Sequence, residues 1–323
     1  MLKNHHKILA AVLVAQIILS AVVFWPRAST AGQRAPLFPD LTAEDVTALT
    51  IEGAEGEPIE LRKAAEGWVL PNADEFPARE EAVLGILEKL TSLTTGRLVT
   101  SNDVSHKRLQ VAADDFARRI VFETGDGAKE TVYIGSSPQY GSVHFRVGGQ
   151  SEAYLTSELT IWDVKADVSG WIDTSYQNAA QADVTKMTLE NANGTFVFEK
   201  EDGETWAMLE PSPTGEGQTL KQVEVNNVLR QAASQTMKMP LGTEERETYG
   251  MDEPSAVVTL ETPDKTVTVQ VGAKDADDES YVIKSSESDY YVRVAARSIA
   301  SLVENGREAF LQEPTPQPES NGS

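Results

Sequence analysis

Asp45-Val46-Thr47-Ala48-Leu49-Thr50-Ile51, and 138 residues later Asp183-Val184-Thr185-Lys186-Met187-Thr188-Leu189, are two spellings of one strand. Each alternates apolar and polar positions, the period of a half-buried β-strand. After the first comes a second alternating run, Pro58 to Lys63, beyond the Gly53 to Gly56 turn. Trp68-Val69-Leu70 is a third short strand, and a helix opens at Pro77. In that helix Val83, Leu84, Ile86, Leu87, Leu90 and Leu93 recur at three- and four-residue spacing, so one face is apolar. Two hairpins come next: Phe116 to Glu123 with Lys129 to Ile134 about Asp126-Gly127, and Val143 to Val147 with Ala153 to Leu155 about Gly148-Gly149. A stretch from Leu159 to Asp173, helical or irregular, closes the series.

Beyond Leu189 the same series runs again. Glu204 to Leu209 answers Glu66 to Leu70, Val225 to Ala233 answers the helix, and Ala256 to Leu260 answers Arg118 to Phe122. Val267 to Val271 then runs into Gly272 as Val132 to Ile134 runs into Gly135, 137 positions earlier. Tyr281 to Lys284 and Tyr290 to Val294 stand for the last hairpin, with a closing helix over Ile299 to Phe310. The expectation is an α+β chain of two tandem, duplicated modules of antiparallel sheet with packed helices, 45–175 and 183–311, joined by a linker at 176–182. Residues 312–323, with Pro314, Pro316 and Pro318, read as a disordered tail.

Ahead of the modules, Ile8 to Trp25 is uncharged, with only Gln16 and Ser20 polar. As a helix it would reach about 27 Å, so it is expected to be a transmembrane helix behind a cytoplasmic tail, 1–7, and ahead of a stalk, 26–44. Lys3 and Lys7 place the N-terminus inside. Ser29-Thr30-Ala31 before Gly32 resembles a leader cleavage site, but the apolar run is longer than such leaders need. The expected location is the bacterial cell membrane, single-pass, with the bulk on the periplasmic or extracellular side.

Fifty acidic against 28 basic residues give a net charge of -22, spread along the chain. That balance repels nucleic acid, so no nucleic-acid partner is expected. The chain has no cysteine, which removes disulfides, thiolate nucleophiles and thiol metal ligands. His106 and His144 fall on separate elements without ligand spacing, and Asp275-Ala276-Asp277-Asp278-Glu279 lacks the glycine and terminal glutamate of a calcium loop. Asp114, Asp252 and Glu253 are the carboxylates on which an envelope hydrolase would rest, without a pattern that pairs them. Phosphate-binding and nucleophile-elbow motifs are missing. The chain therefore reads as a non-enzyme with no cofactor and no metal. Asn193-Gly194-Thr195 reads as a turn between strands. Trp68 and Trp206, at matching places in the two modules, read as packing residues of the sheet–helix seam, and Trp162 and Trp171 as candidates for the seam between modules. Adjacent Tyr290 and Tyr291 point to opposite faces of a strand, one of them outward as a contact residue.

Tyr249-Gly250-Met251-Asp252-Glu253-Pro254, then the Val257 to Leu260 strand, Val267 to Gly272, and Tyr290 to Val294 resemble the bacterial family numbered 4340 among the domains of unknown function. In the first module the phrase corresponds to Val111-Ala112-Ala113-Asp114-Asp115-Phe116, without its glycine or proline. The resemblance implies an N-terminal span and a neighbouring permease and ATPase as partners. It thereby implies an accessory or scaffolding subunit of an ABC-type, gliding-motility-like transport complex, with no catalytic residue to carry over. The alternative reading is a self-associating, adhesion-like surface protein.

Overall fold

The computed structural model describes residues 35–212 and 218–312. The first half holds β1 (Val46–Gly53), β2 (Ile59–Ala64), β3 (Gly67–Leu70), β4 (Phe76–Pro77), α1 (Glu80–Thr91), β5 (Leu98–Thr100), α2 (His106–Leu109), β6 (Val111–Ala112), β7 (Asp115–Phe116), β8 (Arg118–Thr124), β9 (Lys129–Ile134), β10 (Val143–Val147) and β11 (Ala153–Thr156). The second holds β12 (Ser175–Asn178), β13 (Lys186–Asn191), β14 (Gly194–Lys200), β15 (Trp206–Glu210), β16 (Thr219–Leu220), α3 (Gln222–Ala233), β17 (Ser234–Gly242), β18 (Ala256–Glu261), β19 (Thr266–Lys274), β20 (Ser280–Ser285), β21 (Tyr291–Ala295), α4 (Ala300–Glu304), α5 (Arg307–Phe310) and β22 (Leu311–Gln312).

Most strands belong to two nine-stranded antiparallel sheets. One runs β4-β3-β2-β1-β8-β9-β10-β11-β5, the other β15-β14-β13-β18-β19-β20-β21-β17-β12. From β3 and β15 inward the two orders coincide strand for strand through β5 and β17. They differ at the ends: β4 is added outside β3, and β12 is added outside β17.

By internal contacts the described chain forms two compact units that do not follow the sheets. Unit 1 holds residues 35–45, 86–121 and 129–164, and unit 2 holds 46–85, 122–128 and the remainder from 165. In unit 1, Leu109, Val111, Tyr133 and Ala153 form a buried cluster with Phe116 against it, and Phe145 stacks on Tyr154 at 5.5 Å. In unit 2, Phe310 is packed by Phe196 and Phe198 at 5.1 and 5.0 Å, and α3 buries Val225, Val228, Leu229 and Ala232 along one face.

Unit 2 also shows a turn plugged into a strand end. Asp74 and Glu75 both adopt left-handed φ, 52° and 59°, conformations that cost L-residues energy unless the surroundings hold them. The Asp74 carboxylate accepts from the N–H and Oγ of Thr243 at 2.6 and 2.9 Å, and these bonds hold its pKa below the ordinary carboxylate value. Beside it Phe76 meets Tyr290 edge-on at 4.8 Å.

Several expectations need correction. Among the described residues no helix is long and apolar enough to cross a membrane. The longest, α1 and α3, have 12 residues each and reach about 18 Å, and each has a polar side. The Ile8–Trp25 segment, the cytoplasmic tail, the Ala31-Gly32 junction, most of the stalk and residues 313–323 lie outside the described residues. The fold class is therefore corrected to two large antiparallel sheets with packed helices, with no spanning helix among the described residues. The single-pass location and the anchored transport-subunit role, which rested on that helix, are set aside. The closing helix over Ile299 to Phe310 is two short helices, broken at Asn305-Gly306. Leu159 to Asp173, expected to be helical or irregular, is irregular, with one 3-10 turn at Val168–Gly170.

Candidate functional site

The candidate contact surface of unit 1 includes β5. Leu98 and Val99 of this edge strand are 55% and 41% exposed, although both are apolar. Next to them a cleft of about 230 Å³ is lined by Thr94, Gly96, Arg97, Gln139, Ser142 and the Leu155–Glu158 stretch. Gln139 and Ser142 come from the β9–β10 loop, whose Tyr140 is wholly exposed, and the chain leaving Glu158 carries Trp162, 80% exposed. Tyrosine and tryptophan bared in this way are the side chains that contribute most at protein contacts.

Elsewhere in unit 1, Ser136 Oγ lies 3.1 Å from His144 Nδ1 and 3.2 Å from the Leu109 carbonyl oxygen. Burial pushes the His144 pKa below its ordinary value, and Arg108 and Arg97 lower it further. The ring is therefore neutral at pH 7. No carboxylate hydrogen-bonds it among the described residues, so the third member that orients a catalytic base is missing. A second cavity, about 410 Å³, is lined by residues that include His106, Lys107, Asp114 and Arg146. Asp114 is paired with Lys107 at 2.6 Å, which lowers its pKa and makes it a poor proton donor. Asp252 and Glu253 are exposed. Asp275 and Asp278 are held by Arg293 and Lys238 at 2.9 and 2.8 Å, and no group of metal-ligating side chains converges among the described residues.

The phrase at Tyr249 is a structural joint. Gly250 ends the 3-10 turn Glu247–Tyr249 with φ 65°, and Tyr249 and Met251 join Val282 and Tyr291 in a buried cluster with Leu241 against it. Pro254 is half-buried just before β18. The same joint recurs in unit 1 at Leu109-Gln110-Val111, where Gln110 takes φ 56°, so the correspondence with Val111–Phe116 is corrected by two residues. In both, a glycine at the end of the neighbouring strand, Gly135 just after β9 and Gly272 within β19, lies against the joint. An added Cβ on Gly135 would be 2.0 Å from the Leu109 oxygen, and on Gly272 2.1 Å from the Tyr249 oxygen.

Tyr291 is buried, and its hydroxyl donates to Glu245 Oε2 at 2.9 Å. Burial, then the Glu245 carboxylate, push its pKa up to about 12 from 10.0. Its stabilising contribution is therefore complete below pH 10 and is lost as pH rises toward 12. In an alkaline titration followed by tyrosinate absorbance, Tyr291 should ionise late among the tyrosines. Tyr291→Phe should delete that late phase and leave the earlier ones in place.

Of adjacent Tyr290 and Tyr291, one of them expected outward, Tyr291 is buried and Tyr290 is half-buried against Phe76 of its own chain, its carbonyl accepting from the Tyr176 hydroxyl at 2.8 Å. Trp68 and Trp206 are each 2% exposed. The Trp206 indole donates to Asn226 on α3 at 3.0 Å, a strand-to-helix tie. Trp171 is buried and donates to the Lys165 carbonyl, while Trp162 is 80% exposed. The sequence does not announce β5. Three residues are too few to show a period, and the signal that could have found it is the repeat itself, through β17.

The model of a family described as "Domain of unknown function (DUF4340)" matches residues 68–239, from Trp68 in β3 to Met239 in β17. The Tyr249–Pro254 phrase and Tyr290–Val294 fall outside this match. No curated protein and no solved structure matches the chain.

Proposed function

The chain belongs to the DUF4340 family, and on that premise we propose that it works as a non-catalytic module that binds another protein, with unit 1 as the contact surface. The observation that carries the reading is the exposed apolar surface of unit 1. Of the eight large apolar side chains most exposed on the described chain, Leu98, Val99, Val104, Tyr140 and Trp162 belong to this unit. Covering the 55% of Leu98 and 41% of Val99 still exposed would contribute roughly 0.6–1.6 kcal/mol for each side chain, about half the value for full burial. The non-catalytic part is supported by the Ser136–His144 pair, which has no orienting acid, and by carboxylates that are paired or openly solvated. The acidic balance of the chain argues for a protein over a nucleic acid.

A photo-crosslinking residue at Tyr140 or at Trp162 of the full chain, expressed in its source cells, should give discrete adducts with one partner. The same residue at Thr195, an exposed position near the start of β14 in unit 2, should give none. Equal labelling at all three positions, or none at Tyr140 and Trp162, would sink the reading.

A further inference from the structure

We propose that the 410 Å³ cavity of unit 1 is a binding site for an organic carboxylate, one oxygen of which accepts from the free end of the Arg146 guanidinium. This goes beyond the binding-module reading and does not depend on it. The first observation is a buried cation without a counter-ion. Arg146 is 6% exposed and lines the cavity, yet it takes part in no ion pair among the described residues. Arg293 of β21, which is less buried, is paired with Asp275 at 2.9 Å. Taking a charge out of water is costly unless an opposite charge and a full set of hydrogen bonds meet it.

The second observation is which hydrogens remain. A guanidinium donates once from Nε and twice from each Nη. Here Nε serves the Val111 carbonyl, and Nη1 serves Val147 and Gln150. The hydrogens of Nη2 have no acceptor among the described residues. The Tyr133 ring covers one face of the group, so what is left for a ligand is an edge with two donors and a positive charge, which an anionic oxygen bonds strongly. His106, 7% exposed and also lining the cavity, adds a group of the opposite sense. Its Nε2 lies 2.9 Å from the Ser151 carbonyl oxygen and so carries the hydrogen, which leaves Nδ1 an acceptor with no donor among the described residues.

The third observation is the charge and size of the lining. Lys107 is taken up by Asp114 at 2.6 Å, and Asp103 adds a second carboxylate 3.7 Å from His106 Nε2. The two cations and two carboxylates of the lining therefore cancel, so a phosphate dianion would meet repulsion that a single carboxylate largely escapes. Counted from the matching joints, Ala112 and Ala113 stand where the second half has Asp252 and Glu253. The first half thus carries small side chains in place of acids, and its cavity falls within the range of about 300–1,000 Å³ typical of small-molecule sites. A ligand that serves both Arg146 Nη2 and His106 Nδ1 has a carboxylate with an N–H beside it. Free amino acids and the last residue of a peptide share that chemistry.

The test is an NMR titration of the full chain that follows the backbone amide signals of Ala113, Gly149 and Ser151, with acetyl-glycyl-alanine, its C-terminal amide and free alanine as probes. The peptide acid should shift them saturably with a Kd of about 1 mM or below, and the amide should bind at least about tenfold more weakly. Alanine binding as tightly as the peptide acid would support a free amino acid as the source of the carboxylate, and tighter binding of the peptide would support a chain end. Arg146→Lys, which has no Nη2, should weaken the peptide acid about tenfold, with urea unfolding recording that the variant is folded. Ala113→Glu, at an exposed position, brings in the acid of the second half and should weaken it about fivefold. Unchanged binding to folded Arg146→Lys, equal binding of acid and amide, or no saturable shift with either carboxylate probe would overturn the proposal. Equal binding of inorganic phosphate would overturn the choice of a carboxylate. The crosslinks at Tyr140 and Trp162 test the binding-module reading separately, so either reading can fail while the other stands.

Discussion

Gly272→Ala should lower the free energy of unfolding by about 3–5 kcal/mol, and Gly135→Ala by a similar amount. Gly135 just after β9 and Gly272 near the end of β19 each lie against the joint that leads toward the preceding strand of the ladder. The methyl group of alanine would meet the Tyr249 oxygen at 2.1 Å in one case and the Leu109 oxygen at 2.0 Å in the other. Neither is a flexible side-chain tip. Each oxygen is fixed by a backbone in which the next residue is left-handed, Gly250 at φ 65° and Gln110 at φ 56°. Relief would require moving a turn that also positions Tyr249 and Met251, or Leu109 and Val111, in their buried clusters. Gly85→Ala is the control: its added carbon meets nothing within 4 Å, and alanine favours the helix, so a gain of up to ~1 kcal/mol is expected. Urea unfolding of the three variants checks the set. A cost below ~1 kcal/mol at both Gly135 and Gly272 would mean the joint is soft.

The same glycines show what could be read in advance. Their spacing aligned the two halves because a close backbone approach tolerates no side chain, so the residue type survives where the surrounding sequence has drifted. The strands that face a core were legible for a related reason: alternation in Val46–Gly53 or Ala256–Glu261 is forced by one buried face. What escaped was the far edge of each sheet, at matching places. β5 is three residues long, and β17 runs Ser234–Gly242 with Pro240 and several polar residues, so neither carries a clean period. Ser175–Asn178 reads in sequence as chain running into a linker because its burial comes from one glutamine and a tyrosine hydroxyl, which hydropathy does not register. The candidate site inherits that blindness. An edge is defined by a missing neighbour, and one strand's sequence does not encode what fails to pair with it. The phrase at Tyr249 draws attention for the opposite reason, since glycine and proline are conspicuous, and it proves to be a joint that holds the sheet together.

Arg146→Ala should cost about 3 kcal/mol, and Arg146→Lys only about 1 kcal/mol. Arg146 on β10 is 6% exposed, and its guanidinium donates to backbone carbonyls: Nε to Val111 at 2.7 Å, and Nη1 to Val147 and Gln150 at 3.3 and 3.1 Å. The same group also lies over the Tyr133 ring at 4.5 Å. Truncation to alanine would leave the Val111 and Gln150 oxygens unsatisfied beneath a void, two of the costs that make a buried substitution severe. Lysine has a precedent 138 positions on. Lys284 of β20 donates to the carbonyls of Ser285 and Ser288, which stand to it as Val147 and Gln150 stand to Arg146. The cation therefore caps the turn after the strand in both halves, and arginine adds only the bond to Val111. Lysine at 146 should recover the turn bonds and lose that one. If Arg146→Lys proves as costly as Arg146→Ala in urea unfolding, the turn cap is not the residue's work. The bond to Val111 would then tie β10 to the Leu109-Gln110-Val111 joint, and the two halves would differ in how they hold it.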